Sequence, residues 1–432
     1  MREKELMVYR DFGQDGKLLS EMAWISRHFQ EKSRKARTKL YACMGGLLEL
    51  GGSHGFYGNL WHCYLSNLLV NHENSYSRAC EIRGAVEGTV NAAVLHDIAI
   101  FRELFIFDFA AVSRALQVPE FDQVLSYEGN EQESRVYNTR IRDRICTLAV
   151  RLAAASSAEE MKERLTEFYR EYGVGKFGLH KAFRIGHRRT EDGAEAVVIE
   201  PILNIAHVKL SDLVGYETAK KKLVENTEAF VSGRKANNCL LYGDAGTGKS
   251  SSIKAIANEY YDRGLRIIEV YRHQFRDLND VIAQIKNRNY RFIIYMDDLS
   301  FEDFETEYKY LKAVIEGGLE KKPDNVLIYA TSNRRHLIRE KFSDKRERDE
   351  DLHTNDTVQE KLSLVYRFGV TIYFGAPDKA QFQQIVKALA QRANISLPEE
   401  ELLAEANKWE LFHGGLSGRT AQQFIDYLSG TL

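Results

Sequence analysis

One eight-residue stretch limits what this chain can fold into more than any other: Gly243-Asp244-Ala245-Gly246-Thr247-Gly248-Lys249-Ser250. It fits the pattern G-x-x-x-x-G-K-[ST], in which glycines let backbone N–H groups turn inward around phosphate oxygens. A short apolar run, residues 239–242, precedes it, and residues 251–261 carry apolar side chains at helical spacing. The order of strand, glycine loop and helix is the one that phosphate binding requires. The sequence therefore predicts a nucleotide-binding α/β unit.

The last two residues of this loop have distinct expected roles. Lys249 is expected to reach the β- and γ-phosphates of a nucleotide. The Ser250 hydroxyl is expected to be a ligand of Mg²⁺. The predicted ligands are therefore ATP and Mg²⁺.

The composition is that of an ordinary folded protein. The chain has 432 residues, which predicts two or three domains, and 44% of them are hydrophobic. Five cysteines, an odd number without close pairing, favour reduced thiols and a cytoplasmic location. The charged N-terminus leads into no apolar signal core, and charges interrupt the most hydrophobic region, residues 92–112. We therefore expect no membrane association.

The first part of the chain, residues 1–172, is predicted to be a helical accessory domain. Apolar residues recur every three or four positions over the ranges 18–50, 57–70, 85–116 and 137–172. The glycine-rich stretch 51–55 is expected to be a loop between helices. Residues 173–208 are expected to form a β-containing connector, since two alternating runs flank Asp192-Gly193 and predict a β-hairpin.

From residue 209 the pattern changes to apolar, strand-like runs separated by helical stretches. Five such runs occur, at residues 239–242, 265–271, 292–296, 326–330 and 370–374. This alternation predicts an α/β fold with a parallel five-stranded sheet and helices on both faces. We expect the core to span residues 209–376 and a small helical lid to span 377–432, with the nucleotide between them.

Two of these strands end in polar residues that would complete the site. Asp297 and Asp298 follow the run 292–296, and Asn333 follows the run 326–330. Because ligands gather at the carboxyl ends of parallel strands, these side chains are expected beside the phosphates. Asp297 would hold Mg²⁺, Asp298 would orient or deprotonate the attacking water, and Asn333 would bind the γ-phosphate or the water. The alternatives are a helix-capping aspartate and an asparagine satisfying its own loop.

Two arginines are further candidates. Arg367 precedes the last predicted strand, where it could neutralise transition-state charge in the site of a neighbouring subunit. The alternative for Arg367 is an ordinary surface arginine. Arg419 begins the final predicted helix and could reach the γ-phosphate from the lid.

These segments resemble those of the AAA+ ATPase superfamily over residues 205–432. They are residues 212–216, 243–250, 297–298, 331–333, 367–368 and 418–419, which resemble the adenine-side segment, Walker A, Walker B, sensor 1, arginine finger and sensor 2. The resemblance implies a homo-oligomeric ATPase in which Val214, Gly215 and the loop through Ser251 contact the nucleotide. Residues 237–250 further resemble a bacterial family of uncharacterised ATP-binding proteins with a helical N-terminal region and one C-terminal AAA+ module.

One residue departs from the common AAA+ pattern. Many members place a glutamate after the Walker B aspartate, whereas this chain has Asp298. Replication initiators and helicase loaders are similar to this chain in having an Asp-Asp pair. The shorter side chain is expected to hold water less well, which predicts slow hydrolysis.

Three classes of function follow. The first is an ATP-driven remodeller or switch that acts on a protein partner through the helical domain. The second is a DNA-associated initiator or loader, which the Asp-Asp pair favours, although the net charge of −2 gives no bulk attraction to nucleic acid. The third, less favoured, is a phosphate-loop kinase of a small molecule. The run 339–351, with eleven charged residues in thirteen, predicts a solvated loop or, alternatively, a loop that contacts a partner or another subunit.

Overall fold

The computed structural model describes residues 2–129, 137–190, 192–203, 205–301, 307–316, 322–333, 337 and 364–431. The chain forms two units, Met1–His180 and Lys181–Leu432. Within the described ranges, no helix is both long enough and apolar enough to cross a membrane.

Helices build the first unit, as the apolar spacing predicts. They are α1 (Gly16–His28), α2 (Arg34–His54), α3 (Leu60–Asn71), α4 (Ser75–Cys80), α5 (Val90–Ile106), α6 (Phe109–Leu116), α7 (Asp122–Leu125), α8 (Thr139–Ala153), α9 (Ala158–Tyr172) and α10 (Gly175–Leu179). The mainly helical character predicted for the N-terminal region is therefore confirmed.

Helix α3 forms the centre of this unit and carries apolar residues on nearly every side. Its Trp61 is 1% exposed, and the indole Nε1 donates to the carbonyl oxygen of Leu104 at 3.0 Å. This bond satisfies the N–H of a large side chain that is otherwise apolar. The buried carboxylate of Asp97 likewise accepts backbone N–H groups of Met7 and Tyr9, which ties the N-terminal segment to α5.

The prediction of a loop at residues 51–55 is wrong. Helix α2 continues to His54 and ends at Gly55, whose φ of 71° is the left-handed conformation that closes many helices. Gly51 is helical and buried, and a Cβ at this position would lie 3.1 Å from a ring carbon of Tyr127. The glycine therefore permits close packing within a helix and does not interrupt it.

The second unit contains a seven-stranded sheet. Its strands are β1 (Ala182–Arg189), β2 (Glu195–Pro201), β3 (Cys239–Gly243), β4 (Leu265–Glu269), β5 (Arg291–Met296), β6 (Val326–Ser332) and β7 (Val370–Phe374). The order is β2-β1-β4-β5-β6-β3-β7; β1 and β2 pair in antiparallel orientation, and the other five pairs among the described strands are parallel. The five parallel strands predicted for the core are confirmed.

The sheet has two more strands than predicted. The expected hairpin around Asp192-Gly193 forms, and its strand β1 pairs in parallel with β4 through Ala182 to Arg184. Phe183 and Ile185 on β1 are buried, so the hairpin covers apolar side chains as well as extending the sheet. The alternating pattern identified the hairpin but carried no information about which strand it would pair with.

Helices surround this sheet and continue into a separate C-terminal bundle. Around the sheet lie α11 (Glu217–Val231), α12 (Lys249–Tyr260), α13 (Leu278–Ile285) and α14 (Glu307–Glu316), and the lid consists of α15 (Lys379–Arg392), α16 (Glu399–Phe412) and α17 (Gly418–Thr431). The lid has its own apolar core, to which Phe382, Val386 and Phe424 contribute. The predicted α/β class with a small helical lid is confirmed.

The strand order positions the candidate site. Strand β3 lies between β6 and β7, and β5 lies on the other side of β6. Because all four strands are parallel, their carboxyl ends share one edge of the sheet. The glycine loop after β3 therefore lies beside the polar residues that end β5 and β6.

Candidate nucleotide-binding site

The glycine loop leaves β3 through a backbone conformation that only glycine tolerates. Gly243 has a φ of 136°, and a Cβ at this position would lie 2.0 Å from the carbonyl oxygen of Phe374 on β7. The chain then passes through Gly246 and Gly248, both with positive φ, and helix α12 begins at Lys249. The first N–H groups of a helix have no acceptor within the helix, so this turn presents donors suited to an anion.

Asp244 fixes the loop to the segment that follows β7. Its carboxylate accepts the backbone N–H of Ala376 at 2.7 Å, and its own N–H donates to Phe374 O at 3.0 Å. The second position of the loop therefore has an anchoring contact that the phosphate-binding pattern does not specify.

Lys249 is buried, and its ammonium group is held by oxygen atoms. The Nζ donates to the carbonyl oxygens of Gly243 at 2.9 Å and Asp244 at 2.6 Å, and to Asn333 Oδ1 at 3.0 Å. Burial lowers the pKa of Lys249, and the nearby carboxylates of Asp244, Asp298 and Asp297 partly oppose this effect. A phosphate at this position would favour the charged lysine in the same way.

Ser250 and Asp297 link the glycine loop to the end of β5. The Ser250 hydroxyl donates to Asp297 Oδ1 at 2.7 Å, and the Thr331 hydroxyl donates to the same oxygen at 2.5 Å. Burial acts to raise the pKa of Asp297, but hydrogen bonds, first that from Thr331, outweigh it and lower the pKa. A hydroxyl beside an ionised carboxylate is the kind of hard oxygen pair that suits Mg²⁺, with phosphate oxygens and water completing the shell.

Asp298 and Asn333 form the neighbouring pair. Asn333 Nδ2 donates to Asp298 Oδ1 at 2.8 Å, while the backbone N–H of Asp298 donates to Thr331 Oγ1 at 3.0 Å. Asp298 has a φ of 49°, an uncommon conformation for a residue with a side chain. Strained backbone of this kind often occurs at functional sites.

Thr331 belongs to the segment 331–333 that resembles sensor 1, but no individual role was predicted for it. Its hydroxyl donates to the Asp297 carboxylate and accepts the backbone N–H of Asp298, so it holds both residues at the end of β6. Its position between a buried strand and Asn333 was the available signal. An isolated threonine at the end of a strand is too common for that signal to be used without coordinates.

A cavity of about 900 Å³ extends from the loop to the lid. Most of the predicted residues line it, namely Val214, Ala245, Gly246, Thr247, Gly248, Lys249, Ser250, Ser251, Asp297, Asp298, Asn333 and Arg419. Gly215, with a φ of 80°, lies directly after Val214. The backbone N–H of Arg419 donates to Gly246 O at 3.2 Å, which brings the start of α17 against the loop.

Arg392, at the end of α15, also lines the cavity and was missed by the sequence analysis. Its guanidinium donates to the carbonyl oxygens of Asp212 at 2.8 Å and Ser211 at 3.2 Å. These bonds connect the lid to the segment that precedes α11. Nothing in the local sequence distinguishes this arginine from others on helix surfaces.

Arg367 does not lie in this cavity. The register pairs Cys239 with Val370 and Gly243 with Phe374, so the start of β7 is at the edge of the sheet opposite the glycine loop. Arg367 lies in a turn three residues before that start, so the whole length of β7, roughly 13 Å at the rise of an extended strand, separates this turn from Phe374 along the chain. The charged run 339–351 lies outside the described residues.

Comparisons with known proteins give partial matches. The large subunit of replication factor C from Staphylothermus marinus is 39% identical over 74 residues, 17% of this chain and 17% of that relative. The large subunit from Methanococcus maripaludis strain C6 is 40% identical over 77 residues, 18% of this chain and 15% of that relative. The chain therefore spans only a small part of the length of these curated relatives.

Two solved structures match part of the chain. A RuvB point mutant from Thermotoga maritima has 17% sequence identity and a TM-score of 0.38, with 52% of this chain and 66% of that chain covered. The FIGL-1 AAA domain in complex with ADP has 16% identity and a TM-score of 0.35, with 53% and 74% covered.

A family profile also matches this chain. It covers residues 181–432, which is more than half of the chain and includes the whole seven-stranded sheet and the lid. The predicted AAA+ type of this unit is confirmed, whereas the narrower bacterial family stays a prediction. The chain belongs to the family described as protein of unknown function (DUF815).

Proposed function

We propose that this protein binds ATP with Mg²⁺ and hydrolyses it to switch or remodel a protein partner or assembly. The observation that carries this proposal is the convergence of one ammonium group and two carboxylates on a glycine loop. Lys249 Nζ lies 3.0 Å from Asn333 Oδ1, Ser250 Oγ lies 2.7 Å from Asp297 Oδ1, and Asp298 adjoins Asp297. A cation, hard oxygen ligands and a base at one loop are what phosphoryl transfer to water needs.

Each residue would have a separate task. The loop N–H groups and Lys249 would hold the phosphates, and Arg419 would contact them from the lid. Asp298 would accept a hydrogen bond or a proton from the attacking water, and Asn333, already bonded to Asp298, would hold that water in line. Ser250 and Asp297 would hold Mg²⁺, which would neutralise negative charge on the phosphates.

We expect hydrolysis to be slow. Asp298 has a shorter side chain than glutamate, and its Oδ1 already accepts the amide of Asn333 at 2.8 Å. Both features reduce its ability to hold a water close to the γ-phosphate. A turnover rate comparable to that of a fast protein-unfolding motor would contradict this expectation.

The first test is ATP binding and phosphate release by the full chain and its Lys249→Ala variant. We expect the variant to lose nucleotide affinity by at least about 10-fold, because a charge-assisted contact to phosphate is worth about 1.5–3 kcal/mol. A fluorescent ATP analogue reports binding, and a coupled phosphate assay reports hydrolysis.

Lys254→Ala is the matched control, since Lys254 lies on the same helix α12 but is exposed. It should bind and hydrolyse ATP as the unaltered protein does. If the protein does not bind ATP, or if Lys249→Ala binds it equally well, the proposal is wrong.

The partner can be sought with a variant that holds ATP without cleaving it. Asp298→Asn, with ATP present, should retain a partner protein that Lys249→Ala does not retain, because only the first variant stays in the ATP-bound state. Sizing the retained complex would report the oligomeric state of this chain as well. Equal recovery of the same proteins with both variants would contradict an ATP-controlled switch.

A DNA-associated loader is the second candidate. The observation that favours it is the local similarity to proteins named replication factor C large subunit. Binding of labelled DNA that weakens steeply as salt rises would favour this candidate. A small-molecule kinase is the least favoured candidate, and ATP turnover that requires an added small acceptor would support it.

The cellular location of this protein is also part of the proposal. All five cysteines are unpaired and buried. Free thiols are usual in the reducing cytoplasm, and we propose that location for this protein.

A further inference from the structure

Four exposed cations lie together at the start of helix α2 in the first unit. They are Lys32, Arg34, Lys35 and Arg37, and we refer to them as the basic face. Glu31 is the single acidic residue among residues 27–39, which also contain Arg27 and Lys39. The nearly neutral charge of the whole chain therefore conceals a local concentration of positive charge.

The cations of the basic face are unfavourable for the stability of helix α2, at whose start they lie. Ser33 caps α2 by accepting the N–H of Ala36 at 3.2 Å, and no acidic residue occurs in the first turn. The N-terminal end of a helix carries partial positive charge and is stabilised by acidic side chains and destabilised by basic ones. Cations at this position therefore need an explanation other than helix stability.

Neighbouring side chains hold part of this surface in place. The ammonium groups of Lys35 and Lys39 each lie 5.3 Å from the ring centre of Trp24, which stacks on His28 at 4.3 Å. Cation–π contacts of this kind orient a lysine without neutralising its charge. The long side chains are therefore partly ordered before any ligand arrives.

The adjacent cations have acidic partners and the basic face does not. Arg27 pairs with Glu3 at 2.9 Å, and Lys39 pairs with Glu21. Within the ranges that the structure describes, none of the four residues of the basic face forms an ion pair. Their charge is therefore available to a ligand.

We propose that the basic face binds the phosphate backbone of a nucleic acid. Arg34 and Arg37 are three positions apart on α2 and are therefore neighbours on its surface. Lys35 follows Arg34 and Lys32 lies just before the helix, so this segment presents four positive charges to a polymer with a charge on every unit. The aromatic residues of this segment, Trp24 and Phe29, are half-buried, which leaves little exposed apolar surface for insertion into a lipid bilayer. Contacts to phosphates carry no base information, so binding is independent of sequence.

The test measures binding of the full chain, without nucleotide, to labelled duplex DNA, single-stranded DNA and RNA of one sequence. We expect at least one of them to bind at low salt, with affinity that falls as salt rises. The variant Arg34→Glu, Lys35→Glu, Arg37→Glu should lose at least about 10-fold in affinity, and the slope of log affinity against log salt should fall by about 3.

The thermal stability of the same variant gives a second measurement, and we expect it not to fall when the affinity falls. Because acidic residues suit the start of a helix, its Tm should be equal to or higher than that of the unaltered protein. A substitution that only damaged folding would lower both the Tm and the affinity. If the acidic variant does not fold, a variant with glutamine at the same three positions replaces it in the test. It should lose affinity for nucleic acid, by less than is expected of the acidic variant.

The matched control replaces three exposed arginines elsewhere in the first unit by glutamate, which reverses their charge; they are Arg78, Arg83 and Arg170. It changes net charge equally and should retain most of the binding. Lys249→Ala should also bind nucleic acid normally, so failure of the ATP site and failure of the basic face are distinguishable. Three results would overturn the proposal: no binding to any of the three nucleic acids, equal loss in the control, or selective binding to vesicles of phosphatidylserine and phosphatidylcholine.

Discussion

Asp298 combines a proposed catalytic role with an uncommon backbone conformation. Its φ of 49° is one that asparagine and aspartate adopt more readily than other residues with side chains. Asp298→Asn should therefore fold normally and retain ATP, while hydrolysis falls by about 10²–10⁴-fold because the base is lost. Phosphate release and ATP binding, measured on the same sample, check this prediction.

Asp298→Ala separates chemistry from conformation at the same position. Alanine removes the base and also suits this backbone poorly, so we expect a further loss of stability of about 1–2 kcal/mol relative to Asp298→Asn. Denaturant unfolding of the two variants gives the difference. Equal stability would show that the positive φ imposes no cost here.

Gly243 is required by a close approach between strands. A Cβ would lie 2.0 Å from Phe374 O, so Gly243→Ala must displace either the loop or the end of β7. We expect loss of ATP binding together with a lower Tm. Gly193→Ala, at a turn where no atom lies within 4 Å of the added carbon, is the control for a glycine with positive φ and should retain ATP binding.

At the scale of elements, an ion pair joins helix α11 to the turn after α12. Arg263 forms two parallel bonds to Glu228, at 2.6 and 2.7 Å. The Arg263 guanidinium lowers the pKa of Glu228 from 4.5 to about 2. Because the folded state lowers this pKa, the stabilisation is complete above about pH 4.5 and is lost as the pH falls towards 2.

Glu228→Gln should therefore lower the Tm at neutral pH, and the difference from the unaltered protein should narrow below about pH 4.5. Thermal unfolding followed from neutral to acidic pH measures this. Glu225→Gln removes an exposed pair to Lys221 at 3.9 Å and should change the Tm little at any pH. A Tm difference for Glu228→Gln that stays constant with pH would contradict the assignment.

Elements were predicted best where the side-chain period was clear. The five parallel strands follow from five apolar runs, two of which are directly followed by Gly243 and Asp297. The helix through Gly51 was missed because glycine usually indicates a turn, and only its packing against Tyr127 explains its presence in a helix. Such a contact joins residues far apart in sequence and leaves no local pattern.

At the scale of the whole molecule, the position of Arg367 predicts dependence on assembly. It lies at the edge of the sheet away from the glycine loop of its own chain, and we propose that it acts in the site of another copy. We expect the ATPase rate per chain to rise with protein concentration. Arg367→Ala should keep ATP binding and lose hydrolysis by roughly 10³-fold.

A mixture of two variants tests directly whether Arg367 acts in the site of another copy. Arg367→Ala retains its own phosphate loop, and Lys249→Ala retains its arginine, so each variant alone should be inactive. Mixing them should restore part of the ATPase activity, because a copy of the second can complete the site of the first. If mixing restores nothing and the rate of the unaltered protein is independent of concentration, Arg367 has no role in another subunit.

The sequence by itself determined the fold class of the second unit and the residues that meet at its edge. It could do so because the glycine loop and the polar strand ends are local patterns, and because parallel strands bring their carboxyl ends together. Only the tertiary structure decided that Thr331 bridges to Asp297, that Arg392 joins the lid to residues 211–212, and that the hairpin extends the sheet. These depend on pairings between distant segments, which side-chain period and spacing along the chain do not encode.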